Sequence, residues 1–222
     1  MRFLGFEVTH TPGQSAFLRS RKVDLVLDVG ANRGQYAANL RREGYRGQIC
    51  SFEPVSKVFA KLESRCSSDR KWEARHCAVG ESPGTAEINI SRNTVYSSIR
   101  EQTEMSADFS YKSAIIGTEQ VDVITLDQCG FTDDYKNIFL KIDTQGFEKE
   151  CLLGAGDLLK SCVGLQLELP VEHLYQNVWS FNEAVNHMNQ LGFIPAQFRM
   201  VNRLHDDPVS GIEFDCIFRR KR

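Results

Sequence analysis

The sequence predicts an α/β fold, on three observations. Apolar strand-like runs alternate with amphipathic helical ones, the order that gives a mostly parallel sheet with helices on both faces. The first of these runs, Val23 to Val29, turns through a glycine directly into a helical segment. The chain then closes on two strand-like runs, Phe193 to Val201 and Ile212 to Phe218, placed to form a terminal antiparallel hairpin.

The elements follow in order. Val23 to Val29 is short and β-branched, which suits a buried strand. Arg33 to Glu43 reads as a helix, with Tyr36, Ala37 and Leu40 on one face and Gly44 at its end. Gln48 to Phe52 is a second strand; Val55, Val58, Phe59 and Leu62 then recur at i, i+3, i+4 and i+7, one helical face. Trp72 to Val79 reads as a third strand, Gly80 to Gly84 as a turn, and Thr85 to Ile90 as a short extra strand. From Ser91 to Glu119 no period holds, and a stretch of about 30 residues without one is more often a lid or binding loop than a neutral connection. Val121 to Leu126 resumes as a strand, and Ile138 to Ile142 is strongly apolar. Phe147, Cys151, Leu152, Ala155, Leu158 and Leu159 share a helical face, and Val163 to Leu169 is a further strand. Ser180 with Glu183 makes a capping box, opening a helix that Gly192 stops. The expected organisation is an N-terminal arm over 1–20 and one domain over 21–222, with the insertion at about 91–119.

Bulk properties narrow the function classes. The 222 residues are 41% hydrophobic and 25% charged, as in a globular domain. With 27 basic and 29 acidic residues there is no basic field of the kind that binds nucleic acid. The C-terminal Arg219, Arg220, Lys221 and Arg222 read first as a solvated tail, with contact to an anionic substrate or a membrane surface as the alternative. Seven scattered cysteines with no Cys-x-x-Cys pair predict neither a disulfide framework nor a zinc site. Without a signal-peptide core or a membrane-spanning run, the expected setting is reducing and cytoplasmic.

The sharpest motif is Asp28-Val-Gly-Ala-Asn-Arg-Gly34, where a strand turns into a helix. Open α/β sheets bind ligands beyond the carboxyl ends of their strands. Gly30 permits close approach to the backbone, and Gly34 permits helix packing near the turn. The dinucleotide fingerprint fails, because Asn32 and Gln35 hold its second and third glycine positions, and no Walker lysine follows. What remains suits S-adenosylmethionine, which has no pyrophosphate but carries an ammonium and a sulfonium for which Asp28 is a natural neighbour. Glu53, in Ser51-Phe-Glu-Pro54, lies 25 residues after Asp28 at the end of the next strand. A carboxylate there can accept from both ribose hydroxyls.

These segments, with Leu140-Lys-Ile-Asp-Thr-Gln-Gly-Phe-Glu148, resemble the FkbM-type methyltransferases over roughly residues 22–218. Ser97-Ser98-Ile99, Leu126-Asp127, Gly154-Ala155 and Asp215-Cys-Ile-Phe218 extend the resemblance. It implies a class I methyltransferase fold, Rossmann-like with seven strands, and S-adenosylmethionine as donor. The commoner family motif has Glu where this chain has Gln145, so a role that requires a carboxylate there does not carry over. The Thr-Gln branch is associated with sugars on bacterial lipids and other natural products, so the expected acceptor is a sugar hydroxyl. The cofactor-binding candidates are Asp28, Gly30, Asn32, Gly34, Glu53, Cys77, Ala78 and Asp143.

Methyl transfer to an alcohol gains from a base at a strand end. Asp143, ending the apolar strand, and His173 are the candidate bases, with Glu168 orienting the acceptor. Asp143 with Glu168 could also supply oxygen ligands to a divalent metal, a second route to a lowered hydroxyl pKa. Tyr96, Phe109 and Tyr111 are candidates for acceptor contacts from the lid, around Ser97 and Ser98. A nucleic-acid methyltransferase is disfavoured, because Asp143-Thr-Gln-Gly stands where a proline-rich turn would be. Methylation of another small molecule, or a non-catalytic cofactor-binding scaffold, stays open.

Overall fold

The structure, a computed structural model, describes residues 2–3, 6–7, 13–104, 111–203, 207 and 209–221. After helix α1 (Gln14–Ser20), the chain alternates strand and helix: β1 (Leu25–Val29), α2 (Gln35–Arg42), β2 (Gln48–Phe52), α3 (Ser56–Cys66) and β3 (Trp72–Arg75). A side sheet follows, built from β4 (Ala78–Val79), β5 (Gly84–Ser91) and β6 (Ile115–Ile124) in the order β4-β6-β5. The main path resumes with the turn α4 (Phe131–Asp134), β7 (Ile138–Ile142), α5 (Glu148–Leu153), β8 (Cys162–Pro170), α6 (Phe181–Gln190), β9 (Phe193–Arg203) and β10 (Gly211–Arg220). The seven-stranded sheet runs β9-β10-β8-β7-β1-β2-β3, parallel from β8 to β3, with β10 antiparallel to both β8 and β9. The predicted α/β class and the C-terminal hairpin are therefore present.

Strand alternation decides where the helices go. Leu25, Leu27, Val29, Leu140, Ile142, Leu165 and Leu167 face one layer, packed with Cys151 and Leu152 of α5 and with Ala184 and Met188 of α6. Val26, Ile49 and Phe139 face the other, with Phe17 and Leu18 of α1, Leu40 of α2 and Leu62 of α3. Each such buried side chain contributes about 1.5–3 kcal/mol of transfer free energy. The capping box of α6 forms as expected: Ser180 Oγ accepts from Glu183 N at 3.3 Å and Glu183 Oε2 accepts from Ser180 N at 2.7 Å.

Two predicted elements are corrected. The run Trp72 to Val79 is two strands in different sheets, because the chain leaves the main sheet after Arg75 and pairs Ala78 with Val123 of β6. The irregular stretch from Ser91 contains the 3-10 turns Thr94–Tyr96 and Tyr111–Ser113, and β6 begins at Ile115. Residues 115–118 are exposed on both faces, so no period-2 pattern marks them as strand. Residues 105–110, with the candidate Phe109, lie outside the described residues.

All seven cysteines are free thiols, six of them buried. Arg220 belongs to the fold rather than to a solvated tail. Its guanidinium donates to the carbonyls of Cys162 and Leu159 and lies over the Phe193 ring. Among the described residues no helix is long and apolar enough to cross a membrane.

Candidate active site

On one face of the sheet, the C-terminal ends of the strands are polar. Register aligns Ser51 of β2, Asp28 of β1, Lys141 of β7 and Gln166 of β8 in one row. Two residues further on, β8 and the hairpin align Glu168, Asp215 and Arg199. On that side the neighbouring strands present Asp143, Gly30 and Glu53. A cleft of about 230 Å³ opens above these ends, lined among others by Gly30, Asn32, Glu53, Cys77, Ala78 and Asp143. A second cavity, beside Gln145, Glu148, Glu168 and Glu213, is about 10 Å³ and too small for a cofactor.

Gly30 has φ of 73°, and a Cβ there would sit 1.9 Å from the Asp143 carbonyl oxygen. No side chain fits between the two strand ends, which is why the motif needs glycine at this turn. Gly34 has φ of 74°, and its Cβ would meet Trp72 and Leu62 within 2.8 Å, so it serves helix packing and does not line the cleft. Glu53 is buried at the cleft floor. Its Oε2 accepts from Asn32 N at 2.8 Å and its Oε1 from Val55 N at 2.9 Å. Burial pushes its carboxyl up to about 7, against the lowering effect of those two N–H groups. Asn32 Nδ2 reaches Thr94 Oγ1 at 3.2 Å, which ties the strap over the cleft to the glycine turn. Beside Cys77 and Ala78, the residues Val55, Ile88, Val95 and Ile99 make an apolar wall.

Asp28 does not line the cleft. It is fully buried, with Oδ2 accepting from Ser51 Oγ at 3.2 Å and Oδ1 3.2 Å from Lys141 Nζ. Burial raises the Asp28 carboxyl, opposed by the Lys141 ammonium. Lys141 also lies 3.4 Å from Asp143 Oδ2 and donates to the Gly30 carbonyl at 3.1 Å. Burial would lower the lysine, but Asp143 and Asp28 outweigh it and hold the ammonium charged. The positive group beside Asp28 is thus the protein's own. Lys141 is not among the site residues the sequence suggests, although a lone charge inside an otherwise apolar strand is its signal.

Asp143 stands at the middle of the cleft, half-exposed, between Lys141 and the side-chain amide of Gln145. Glu168 lies behind Gln145 in the small cavity, not in the cleft. Burial, then the carboxylates of Asp143, Glu213 and Asp215, push its carboxyl well up. His173 lines neither cavity. The structure therefore gathers Gly30, Asn32, Glu53, Cys77, Ala78 and Asp143, and leaves Asp28, Gly34, Glu168 and His173 outside the lining. Tyr36, Gln166, Arg199 and Asp215 line the opposite end, on the side of β8 and the hairpin. Of the lid candidates, Ser97 lines the cleft, Ser98 Oγ donates to the Gln145 carbonyl at 2.6 Å, and the Tyr96 carbonyl lies 3.1 Å from the Tyr175 hydroxyl oxygen. Tyr111 is exposed beneath Arg92. Among the described residues no group of three or more His, Cys, Asp or Glu could hold a metal ion.

Seven strands in this order, with a glycine turn after β1 and an acid after β2, define a class I methyltransferase fold. The family described as the Methyltransferase FkbM domain matches residues 28–195, and the chain belongs to that family. S-adenosylmethionine is the methyl donor that this membership carries. Among solved structures, the chain is similar to methyltransferase FkbM from Methylobacillus flagellatus KT, with a TM-score of 0.51 and 15% identity over 89% of this chain and 43% of that one. It is also similar to TehB from Haemophilus influenzae, with a TM-score of 0.51 and 10% identity over 98% of this chain and 65% of that one. At these identities the likeness is one of fold. The chain spans less than half the length of the first of these structures. No curated protein matches it.

Proposed function

We propose that this chain is an S-adenosylmethionine-dependent O-methyltransferase acting on a sugar hydroxyl of a glycolipid or glycosylated natural product. One observation carries the reading: the cleft changes character along the strand order, with Asp143, the residue after β7, at the change. Over β1 and β2 it offers a backbone turn without a side chain, a buried carboxylate and an apolar wall. Over β8 and the hairpin it is lined by Gln166, Asp215 and Arg199, with Tyr36 of α2 alongside; the Gln14 amide donates to Gln166 Oε1 and to the Tyr36 hydroxyl oxygen, and Arg199 pairs with Asp215.

The first half fits the donor. Glu53 would hold the ribose hydroxyls, Gly30 would admit the amino-acid tail close to the backbone, and Cys77 and Ala78 with the apolar wall would take the adenine. Once bound, S-adenosylmethionine supplies a methyl group on a sulfonium, already a good leaving group. Asp143 then accepts the proton of the attacking acceptor hydroxyl as the carbon–oxygen bond forms. Lys141 and Gln145 hold that carboxylate in place from its two sides. Gln166, Asp215 and Arg199 orient the remaining hydroxyls. A reducing cytoplasm is the setting we assign, in keeping with the unpaired cysteines.

The test supplies labelled S-adenosylmethionine with a panel of glycolipids and glycosylated natural products. Asp143→Asn is expected to bind the donor within about threefold of wild type and to lose about 10²–10⁴ in turnover, the usual contribution of a positioned base. His173→Ala is expected to keep turnover, because His173 stands outside the cleft. Donor binding with no methylation of any glycosylated acceptor would refute the sugar assignment. Full turnover in Asp143→Asn would remove the base.

A further inference from the structure

The Gln145 amide sits between two carboxylates. Its Nε2 donates to Asp143 Oδ1 at 2.8 Å and to Glu168 Oε2 at 2.7 Å, so both hydrogens are used. Its Oε1 accepts from the Tyr175 hydroxyl at 2.8 Å, and its main-chain carbonyl accepts from Ser98. The residue is buried and has φ of 57°. Such a left-handed backbone persists in a non-glycine residue when its surroundings over-determine it. Glu148 and Glu213 line the same small cavity, so the site is rich in acids that need a donor.

A donor in this position performs the electrostatic task of a bridging cation, meeting one oxygen from each of two carboxylates. Mg²⁺ would do so at about 2.0–2.1 Å and Ca²⁺ at about 2.3–2.6 Å; the amide does so at hydrogen-bond length. We infer that Gln145 is a positioning residue whose amide occupies the place of a bridging cation between Asp143 and Glu168, so that the reacting end is organised without a divalent metal. This rests on Asp143 being the base. Gln145→Glu keeps the length and shape of the side chain but exchanges two donor hydrogens for a third carboxylate. That change should turn the same pocket into a cation site.

The experiment uses the full chain and Mn²⁺ as probe, with binding read by electron paramagnetic resonance and by thermal melting. It needs no acceptor, so its failure is distinct from failure of the methyl-transfer reading. Q145E is expected to bind one Mn²⁺ per chain with a Kd of about 10⁻⁴ M or tighter, and to melt higher when the ion is added. Wild type should bind at least tenfold more weakly, and Asp143→Asn in the Q145E background should lose the ion at least tenfold. Wild type binding Mn²⁺ as tightly as the variant, or folded Q145E binding no better than wild type, overturns the inference. If Q145E folds neither with nor without Mn²⁺, Gln145→Met decides. Glu168 faces Asp143, Glu148, Glu213 and Asp215, and without its donor it ionises at greater cost. Q145M must then melt below wild type, and Glu168→Gln added to it must recover part of the loss; a double variant melting no higher than Q145M overturns the inference.

Discussion

Replacing Lys141 by Met removes the ammonium from a fully buried carboxylate. In the wild type its Nζ stands 3.2 Å from Asp28 Oδ1 and 3.4 Å from Asp143 Oδ2. The lysine side chain is 6% exposed and that of Asp28 0%, so water can replace none of this. Asp28 keeps the hydrogen bond from Ser51 at 3.2 Å. Stripping one partner from a buried ion pair costs about 3–5 kcal/mol. At about 2–4 °C per kcal/mol for a chain of this size, melting should drop by roughly 6–20 °C. The loss should depend on pH in a definite sense. A carboxyl raised in the folded state contributes stability below its unfolded value and loses it as pH rises through its folded value. Burial raises Asp28 even against Lys141, and without the lysine it rises further. K141M should therefore be hurt more at pH 8 than at pH 5. Asp28→Asn added to K141M removes the stranded charge and should recover most of the loss. Melting curves by circular dichroism at the two pH values decide. K141M melting within about 2 °C of wild type at both, or a double variant no better than the single, would refute the argument.

Three further outcomes follow from the same geometry. Glu53→Gln should weaken S-adenosylmethionine binding by roughly 10–100-fold in calorimetry, the worth of hydrogen bonds to a charged acceptor. Wild-type affinity should fall as pH drops through about 7, where Glu53 takes up its proton; the stability Glu53 lends the empty protein runs the other way, present at low pH and lost as pH rises through about 7, and E53Q should flatten both slopes. Gly30→Ala must hold a side chain at φ of 73° against the Asp143 carbonyl, so it should lose at least the roughly 1–2 kcal/mol left-handed penalty in urea unfolding and bind no donor. Ser180→Ala removes half of the capping box and should cost about 1 kcal/mol of unfolding free energy without changing donor affinity.

Features written in consecutive residues were legible in the sequence. The glycine turn after β1, the apolar run Ile138 to Ile142 and the Ser180–Glu183 cap are all local, and each carries its own physical signal. Glu53 could be placed because a single crossover fixes which strand comes next. Lys141 and Gln166 were not legible as site residues, because their meaning depends on register: each is one polar residue in an apolar strand until its neighbours across the sheet are known. For the same reason the sequence offers Asp28 to the ligand alone, since nothing along the chain announces that Lys141 of β7 lies beside it. Gln145 looked like a departure from a motif, and its role depends on where β8 places Glu168. The split of Trp72 to Val79 and the early start of β6 eluded periodicity, because those residues leave the sandwiched core where alternation is enforced.

The buried pair between β1 and β7 also acts as a check on assembly. Sliding β7 by one residue would turn Lys141 into the apolar layer that holds Leu140 and Ile142, stranding a bare charge among hydrocarbon. Sliding it by two, so that Asp143 replaced Lys141 opposite Asp28, would bury two negative charges side by side. Each mispairing is heavily penalised before any helix docks. Two central strands made almost entirely of interchangeable aliphatic residues thereby have one alignment in which they can settle, and that alignment is the one that brings Gly30 against Asp143.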